Sequence, residues 1–223
     1  MNFQMSKNSF WVFDLDDTLY KEVDFRNSGF EFVRQEIIRL YKRDIIELLK
    51  KYNRGASQDI FSDICQFLKL PESSKNQFIW MYRNHYPAIT IENDVLTILN
   101  NLKENTLGVA ILTDGRTITQ RNKIKALNLQ EFDVFISEEF NDLEKPNPQR
   151  FKFIQSFYHD CTYVYVGDNL KKDFITPNEL GWKTIGIIDD GRNIHKQDGY
   201  FSEEYHPHIW LRSILDLKGI ISC

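Results

Sequence analysis

Apolar runs in this chain break off abruptly at polar residues. Phe10-Trp11-Val12-Phe13 stops at Asp14-Leu15-Asp16-Asp17-Thr18, and Gly108-Val109-Ala110-Ile111-Leu112 stops at Thr113-Asp114-Gly115. Tyr163-Val164-Tyr165-Val166 stops at Gly167-Asp168, with Asp173 five residues further on. Short continuous apolar runs read as strands buried on both faces, the pattern of a parallel sheet covered by helices. From Val95 onward strand and helix signals alternate, which predicts an α/β fold with a Rossmann-like, mostly parallel sheet, right-handed crossovers and flanking helices. Ligands of such sheets bind beyond the carboxyl ends of the strands, where these polar segments fall.

Between positions 20 and 90 the pattern changes. Phe30, Val33, Ile37 and Leu40 recur at helical spacing, as do Ile45, Leu48 and Leu49, then Ile60, Ile64, Phe67 and Leu68. A small all-α domain is therefore expected over 20–90, inserted into a core domain made of 1–19 and 91–223. Near the end, 205–210 reads as an edge strand that tolerates Pro207, followed by a helix over about 211–217.

The polar segments carry matched chemistry. Alternation along an extended backbone turns Asp14 and Asp16 to one side, where two acids repel unless a cation or a shared proton offsets them. Thr113-Asp114-Gly115 precedes a helix expected over about 117–127, whose unpaired N–H groups suit phosphate oxygens, with the Thr113 hydroxyl as a further donor. Glu144-Lys145-Pro146-Asn147-Pro148 holds a lysine in a stiff turn before a helix capped by Asn147 and begun by Pro148, so that Lys145 can reach a dianionic phosphate. Asp168 and Asp173 offer hard oxygen ligands on separate loops, which suits Mg2+. Taken together, the segments predict magnesium-dependent phosphoryl transfer built on an aspartate nucleophile.

In the order and spacing of these segments, from about Phe10 to Ile188, the sequence resembles the haloacid dehalogenase-like hydrolase superfamily, in its phosphatase branch with a helical cap after the first motif. Asp17 stands where many members have glycine, and Asp114 where several have asparagine. The resemblance implies that Asp14 attacks phosphorus to form an aspartyl phosphate, while Asp16 gives a proton to the leaving oxygen and later takes one from water. It places Thr113, Asp114, Gly115 and Lys145 around the phosphate. Mg2+ would be held by Asp14, the Asp16 backbone carbonyl and Asp168, with Asp173 holding a metal-bound water or orienting Lys145. The substrate implied is a small phosphorylated metabolite, either a sugar phosphate or a nucleoside monophosphate. A phosphomutase sharing the site and a non-catalytic binding or regulatory protein retaining the fold are the alternatives. The dehalogenase branch needs neither magnesium nor an acid at the Asp16 position, which disfavours it. The cap would close over the site and select the substrate. Contact candidates are Lys21, Arg26 and Ser28 at its entry and Trp80, Tyr82, Arg83, His85 and Tyr86 at its exit.

Composition narrows the partners. A length of 223 residues with 42% hydrophobic content supports one substantial core plus a small accessory domain. The net charge of -4 gives no broad basic surface, so neither a nucleic acid polymer nor an anionic membrane is an expected partner. No run approaches a membrane span and the first residues are polar, so a cytoplasmic protein is expected, as a monomer or homodimer. Cys65, Cys161 and Cys223 are odd in number and widely spaced, as in a reducing compartment. His206 and His208 lack nearby acidic or thiol partners and read as structural, as do His195 and the Asp189-Asp190-Gly191 turn.

Overall fold

The computed structural model describes residues 6–54 and 58–221. Its sheet contains β1 (Ser9–Phe13), β2 (Gly108–Thr113), β3 (Asp133–Ile136), β4 (Thr162–Gly167), β5 (Lys183–Ile187) and β6 (Ile209–Leu211). The spatial order is β3-β2-β1-β4-β5-β6, and each neighbouring pair is parallel. Chain order runs outward from β1 in both directions, so β1 sits at the switch point where a crevice opens beyond the strand ends.

Alternating side chains fill both faces of this sheet. Trp11 and Phe13 of β1 pack with Ile98, Leu99 and Leu102 of α5 (Asn93–Asn105) and Ile124 of α6 (Thr117–Ala126). Phe10 and Val12 face the other way, toward Phe151 and Ile154 of α7 (Pro148–Gln155) and toward Trp182, which follows α8 (Ile175–Glu179). Covering both faces explains why the strands read as continuous apolar runs. As its sequence predicts, α7 starts at Pro148 and is capped by the Asn147 side chain, which accepts the Gln149 N–H at 3.0 Å.

Between β1 and β2 lie α1 (Glu22–Tyr41), α2 (Ile46–Asn53), α3 (Ile60–Leu68) and α4 (Lys75–Asn84). They enclose a separate apolar cluster that includes Phe30, Val33, Ile37, Ile45, Ile64 and Phe78. Each fully buried large apolar side chain contributes about 1.5–3 kcal/mol, which is what holds together four helices that share no sheet. Leu40, expected inside, is 50% exposed. It lies in the last turn of α1, beyond the cluster, just before Lys42 turns left-handed and ends the helix. The insert is stitched to the core at its exit: the Thr119 hydroxyl donates to the Arg83 carbonyl at 2.9 Å, and the Asn122 amide to the His85 carbonyl at 3.2 Å.

The chain end departs from expectation. Leu211 is taken up by β6, paired with Ile187, so no helix forms over 211–217. Ser213 instead caps a short 3-10 turn, Ile214–Asp216, and α9 (Leu217–Ile221) follows. The His208 Nδ1 lies 2.6 Å from the Thr184 hydroxyl while His206 Nε2 lies 3.3 Å from the Phe201 carbonyl, so the two imidazoles face different partners. Cys65 and Cys161 are free thiols; Cys223 lies outside the described residues. Among the described residues no helix is long and apolar enough to cross a membrane.

Candidate active site

The tips of β1 and β4 and the loop before α7 meet in a buried charge cluster. The Lys145 ammonium donates to Asp14 Oδ1 at 2.5 Å, to Asp173 Oδ1 at 2.7 Å and to the Tyr165 hydroxyl at 3.0 Å. Burial opposes the charge on Lys145, yet Asp14 and Asp173 lift its pKa well above the usual lysine value. Burial in turn pushes the Asp14 carboxyl up to about 8 against the pull of Lys145. The second Asp173 oxygen accepts the backbone N–H groups of Asp168 at 3.1 Å and Asn169 at 2.8 Å. That approach requires Gly167, because a Cβ there would lie 2.5 Å from Asp173 Oδ2.

Asp168 stands beside this cluster. Its Oδ2 accepts the Asn193 amide at 2.8 Å, and the Gln197 amide donates to its carbonyl at 2.8 Å. Burial, then Asp173 and Asp14, push its carboxyl up to about 9. Asp14, Asp168 and Asp173 each bring a carboxylate oxygen within 4.8 Å of the others. Both Asp173 oxygens are already occupied by Lys145, Tyr165 and the two N–H groups, whereas Asp14 and Asp168 crowd one another with a single lysine between the three acids. Such a donor set fits a hard divalent cation between Asp14 and Asp168, whose charge would offset the burial and the neighbouring acids that raise both carboxyls.

Asp16 faces the same crevice but belongs to a different network. Its Oδ1 accepts the Tyr20 hydroxyl at 2.5 Å, the Lys123 ammonium lies 2.7 and 2.8 Å from its two oxygens, and the Gln120 amide donates to Oδ2 at 2.9 Å. Burial raises the Asp16 carboxyl, but Lys123 and these hydrogen bonds outweigh it and hold the carboxyl below its usual value. The next residue, Asp17, has φ 59, the left-handed conformation that glycine adopts without cost. Its carboxylate offsets the strain by accepting the Glu22 N–H at the start of α1 at 2.9 Å and the Ile194 N–H at 2.8 Å.

At the end of β2, the Thr113 hydroxyl oxygen accepts the Gln120 amide at 2.6 Å, leaving its own proton to donate into the crevice. The neighbouring N–H groups are less open than their position predicts. Gly115 donates to the Ser137 hydroxyl at 2.9 Å and Thr117 to Glu138 at 2.8 Å, because β3 and the turn after it run alongside. The Asp114 side chain is likewise engaged, with the Arg150 guanidinium, with the Lys145 N–H at 3.1 Å and with Lys172 at 3.3 Å. Arg150, buried, also donates to the carbonyls of Leu143 at 2.9 Å and Thr113 at 2.8 Å, so one side chain ties the Lys145 loop to the end of β2.

These groups line a cavity of about 190 Å³. Asp14, Asp16, Thr113, Asp114, Gly115, Lys145, Asp168 and Asp173 all reach it, joined by Glu22, Asn169, Lys172 and His195, which the sequence did not single out as site residues. Burial, followed by the charge of Asp16, pushes the Glu22 carboxyl up to about 7. Arg26, Trp80, Tyr82 and Arg83 are not brought to this cavity. On α4 the inward positions go to Phe78 and Tyr82, which fill the aromatic interior of the insert with Phe25, Phe30 and Phe61. Trp80, 66% exposed, and Arg83 therefore turn to solvent.

A doubly covered parallel sheet with acids and a lysine gathered at its switch point defines a Rossmann-like α/β protein with a buried, charged site at its strand tips. The chain belongs to the haloacid dehalogenase-like hydrolase family, whose model matches residues 11–187. It is 29% identical over 212 residues to the glyceraldehyde 3-phosphate phosphatase of Methanocaldococcus jannaschii, covering 86% of this chain and 90% of that protein. Identity to the glyceraldehyde 3-phosphate phosphatase of Pyrococcus abyssi is 27% over 187 residues, 78% of each chain. Among solved structures, YfnB from Bacillus subtilis bound to magnesium superposes with TM-score 0.66 at 17% identity, covering 98% of this chain and 100% of that one. The HAD phosphatase from Thermococcus onnurineus gives TM-score 0.56 at 21% identity, with 94% and 96% coverage. At these identities the structural likeness speaks for the fold.

Proposed function

We propose that this enzyme is a magnesium-dependent phosphatase that hydrolyses a small sugar phosphate, of triose-phosphate size, through an aspartyl phosphate on Asp14. The observation that carries the reading is the arrangement of Asp14, Lys145, Asp173 and Asp168 at one cavity floor. The names of the relatives favour a sugar phosphate over a nucleoside monophosphate.

Asp14 attacks phosphorus in line, which splits one hard displacement into two easier ones. Lys145 and the Thr113 hydroxyl hold the phosphate oxygens, while Asp173 keeps Lys145 in place rather than touching substrate. Asp114 positions that lysine's backbone and Arg150, and Gly115 lets the chain turn beside the phosphate. Asp14, the Asp16 backbone carbonyl and Asp168 would hold Mg2+, which when bound neutralises charge between nucleophile and phosphate. Asp16, held ionised by Lys123, stands in the form that takes a proton from water in the second displacement. Glu22, at the cavity edge where the insert begins, is placed to accept a hydrogen bond from a substrate hydroxyl. Small-molecule turnover of this kind fits the expected cytoplasmic setting.

Phosphate release should be measured over triose, pentose and hexose phosphates and nucleoside monophosphates, with and without magnesium, in the native enzyme and in Asp14→Asn. The reading expects release that depends on magnesium, favours the smallest sugar phosphates and falls by at least about 10³-fold in the variant. Equal rates in both proteins would refute the nucleophile.

A further inference from the structure

Helix α6 begins just past the Thr113-Asp114-Gly115 turn and sends Gln120 and Lys123 inward from one face. They are 2% and 3% exposed. A buried ammonium is costly unless its charge is met, and here the Asp16 carboxylate meets it at 2.7 and 2.8 Å. Gln120 uses a single amide nitrogen to join Asp16 Oδ2 at 2.9 Å to Thr113 Oγ1 at 2.6 Å. The Lys123 ammonium also lies over the ring of Phe25, 4.3 Å from its centroid, and Phe25 belongs to α1 of the helical insert. The same helix anchors the insert's exit through Thr119 and Asn122.

We propose that Gln120 and Lys123 are positioning residues that fix the aim of the Asp16 carboxylate for proton transfer, and that Phe25 couples this aim to the seating of the insert on α6. The inference rests on the phosphatase reading. In the first half of that reaction the bond from Asp14 oxygen to phosphorus forms, the bond to the leaving oxygen breaks, and that oxygen takes the proton that Asp16 gained from water in the preceding turnover, which leaves Asp16 ionised, the form Lys123 holds. In the second half water oxygen bonds to phosphorus, the bond to Asp14 breaks, and the water proton passes to Asp16. Asp16 therefore has to meet two different oxygens at the same place in turn, and a misaimed carboxylate slows each transfer. Hydrogen bonds from Tyr20, Gln120 and Lys123 leave it one orientation.

An aryl phosphate isolates this effect, because p-nitrophenolate leaves without a proton and only the second half needs Asp16. Rapid mixing of Lys123→Met with p-nitrophenyl phosphate should show a prompt release of one product per enzyme, then turnover slowed by about 10²-fold, with KM no higher than in the native enzyme. An alkyl phosphate should lose the prompt phase as well. Lys123→Arg should recover part of the turnover, and Phe25→Leu should show the same pattern more weakly. Should Lys123→Met fail to fold, Gln120→Met, similar in volume and without the donor, carries the test. Native behaviour in the variants, prompt phase and turnover falling together in a folded variant, or a raised KM at unchanged kcat would each overturn the proposal. If the native enzyme itself releases no phosphate from any monoester, the phosphatase reading fails and this inference with it; an active native enzyme with unaffected variants sinks only the inference.

Discussion

The strand tips and the helical insert solve opposite problems. At the tips, the buried ammonium groups are met by carboxylates, Lys145 by Asp14 and Asp173 and Lys123 by Asp16. In the insert the interior is apolar and its ion pairs lie outside: Arg34 with Glu31 and Asp44, Arg39 with Glu36, Lys50 with Glu47. Exposed pairs of that sort contribute about 0–1 kcal/mol each, whereas removing one partner of a buried pair costs about 3–5 kcal/mol. The difference teaches where precision is needed. On the proposed function, the acids that meet the phosphoryl group are fixed by directional charge, while the interior of the insert is held by non-directional burial.

That contrast can be broken in stages. Lys145→Met leaves Asp14 and Asp173 without their counter-charge, so stability should fall by about 3–5 kcal/mol, read as a drop in Tm of the order of 10 °C by thermal unfolding. A drop no larger than that for an exposed insert pair would erase the distinction. Magnesium should act in the opposite direction at the same place. At a hundredfold excess over its Kd it should add about 2.7 kcal/mol to the native protein and little to Asp168→Asn, again by thermal unfolding. The gain should grow with pH. Asp14 and Asp168 carry folded values of about 8 and about 9 against 3.8 unfolded, so in the metal-free protein their stabilisation is complete below about pH 4 and is lost as pH rises through those folded values. At the insert surface, Trp80→Ala should change stability by less than about 0.5 kcal/mol and leave KM unchanged. A raised KM would return Trp80 to the substrate path.

Much of the core was legible because its signals are local. Each strand run ends at its carboxylate, Asn147 and Pro148 announce α7, and the residue after Asp16 meets a left-handed turn that glycine commonly fills and Asp17 here tolerates through two hydrogen bonds. The partners that hold those acids were not legible in the same way. Gln120 and Lys123 look like the solvated face of a helix until they are placed with Ile124 and Leu127, which share their spacing and are buried. That spacing was the available signal. Arg150 gave none, since a single basic residue in α7 has no local pattern that marks it as buried, and its four partners come from 36, 37, 15 and 7 residues away. In the insert, aromatic residues near the exit suggested substrate contact, but helical spacing does not tell which side of α4 faces the insert's own interior.

The central claim is that Asp14 carries the phosphoryl group. Acid quenching of the enzyme during turnover of a triose phosphate, followed by peptide mass spectrometry, tests it directly. The account predicts one phosphoryl group on the peptide containing Asp14, absent in Asp14→Asn and cleared when substrate is exhausted. Steady turnover with no phosphorylated peptide, or with the group on another residue, would contradict it.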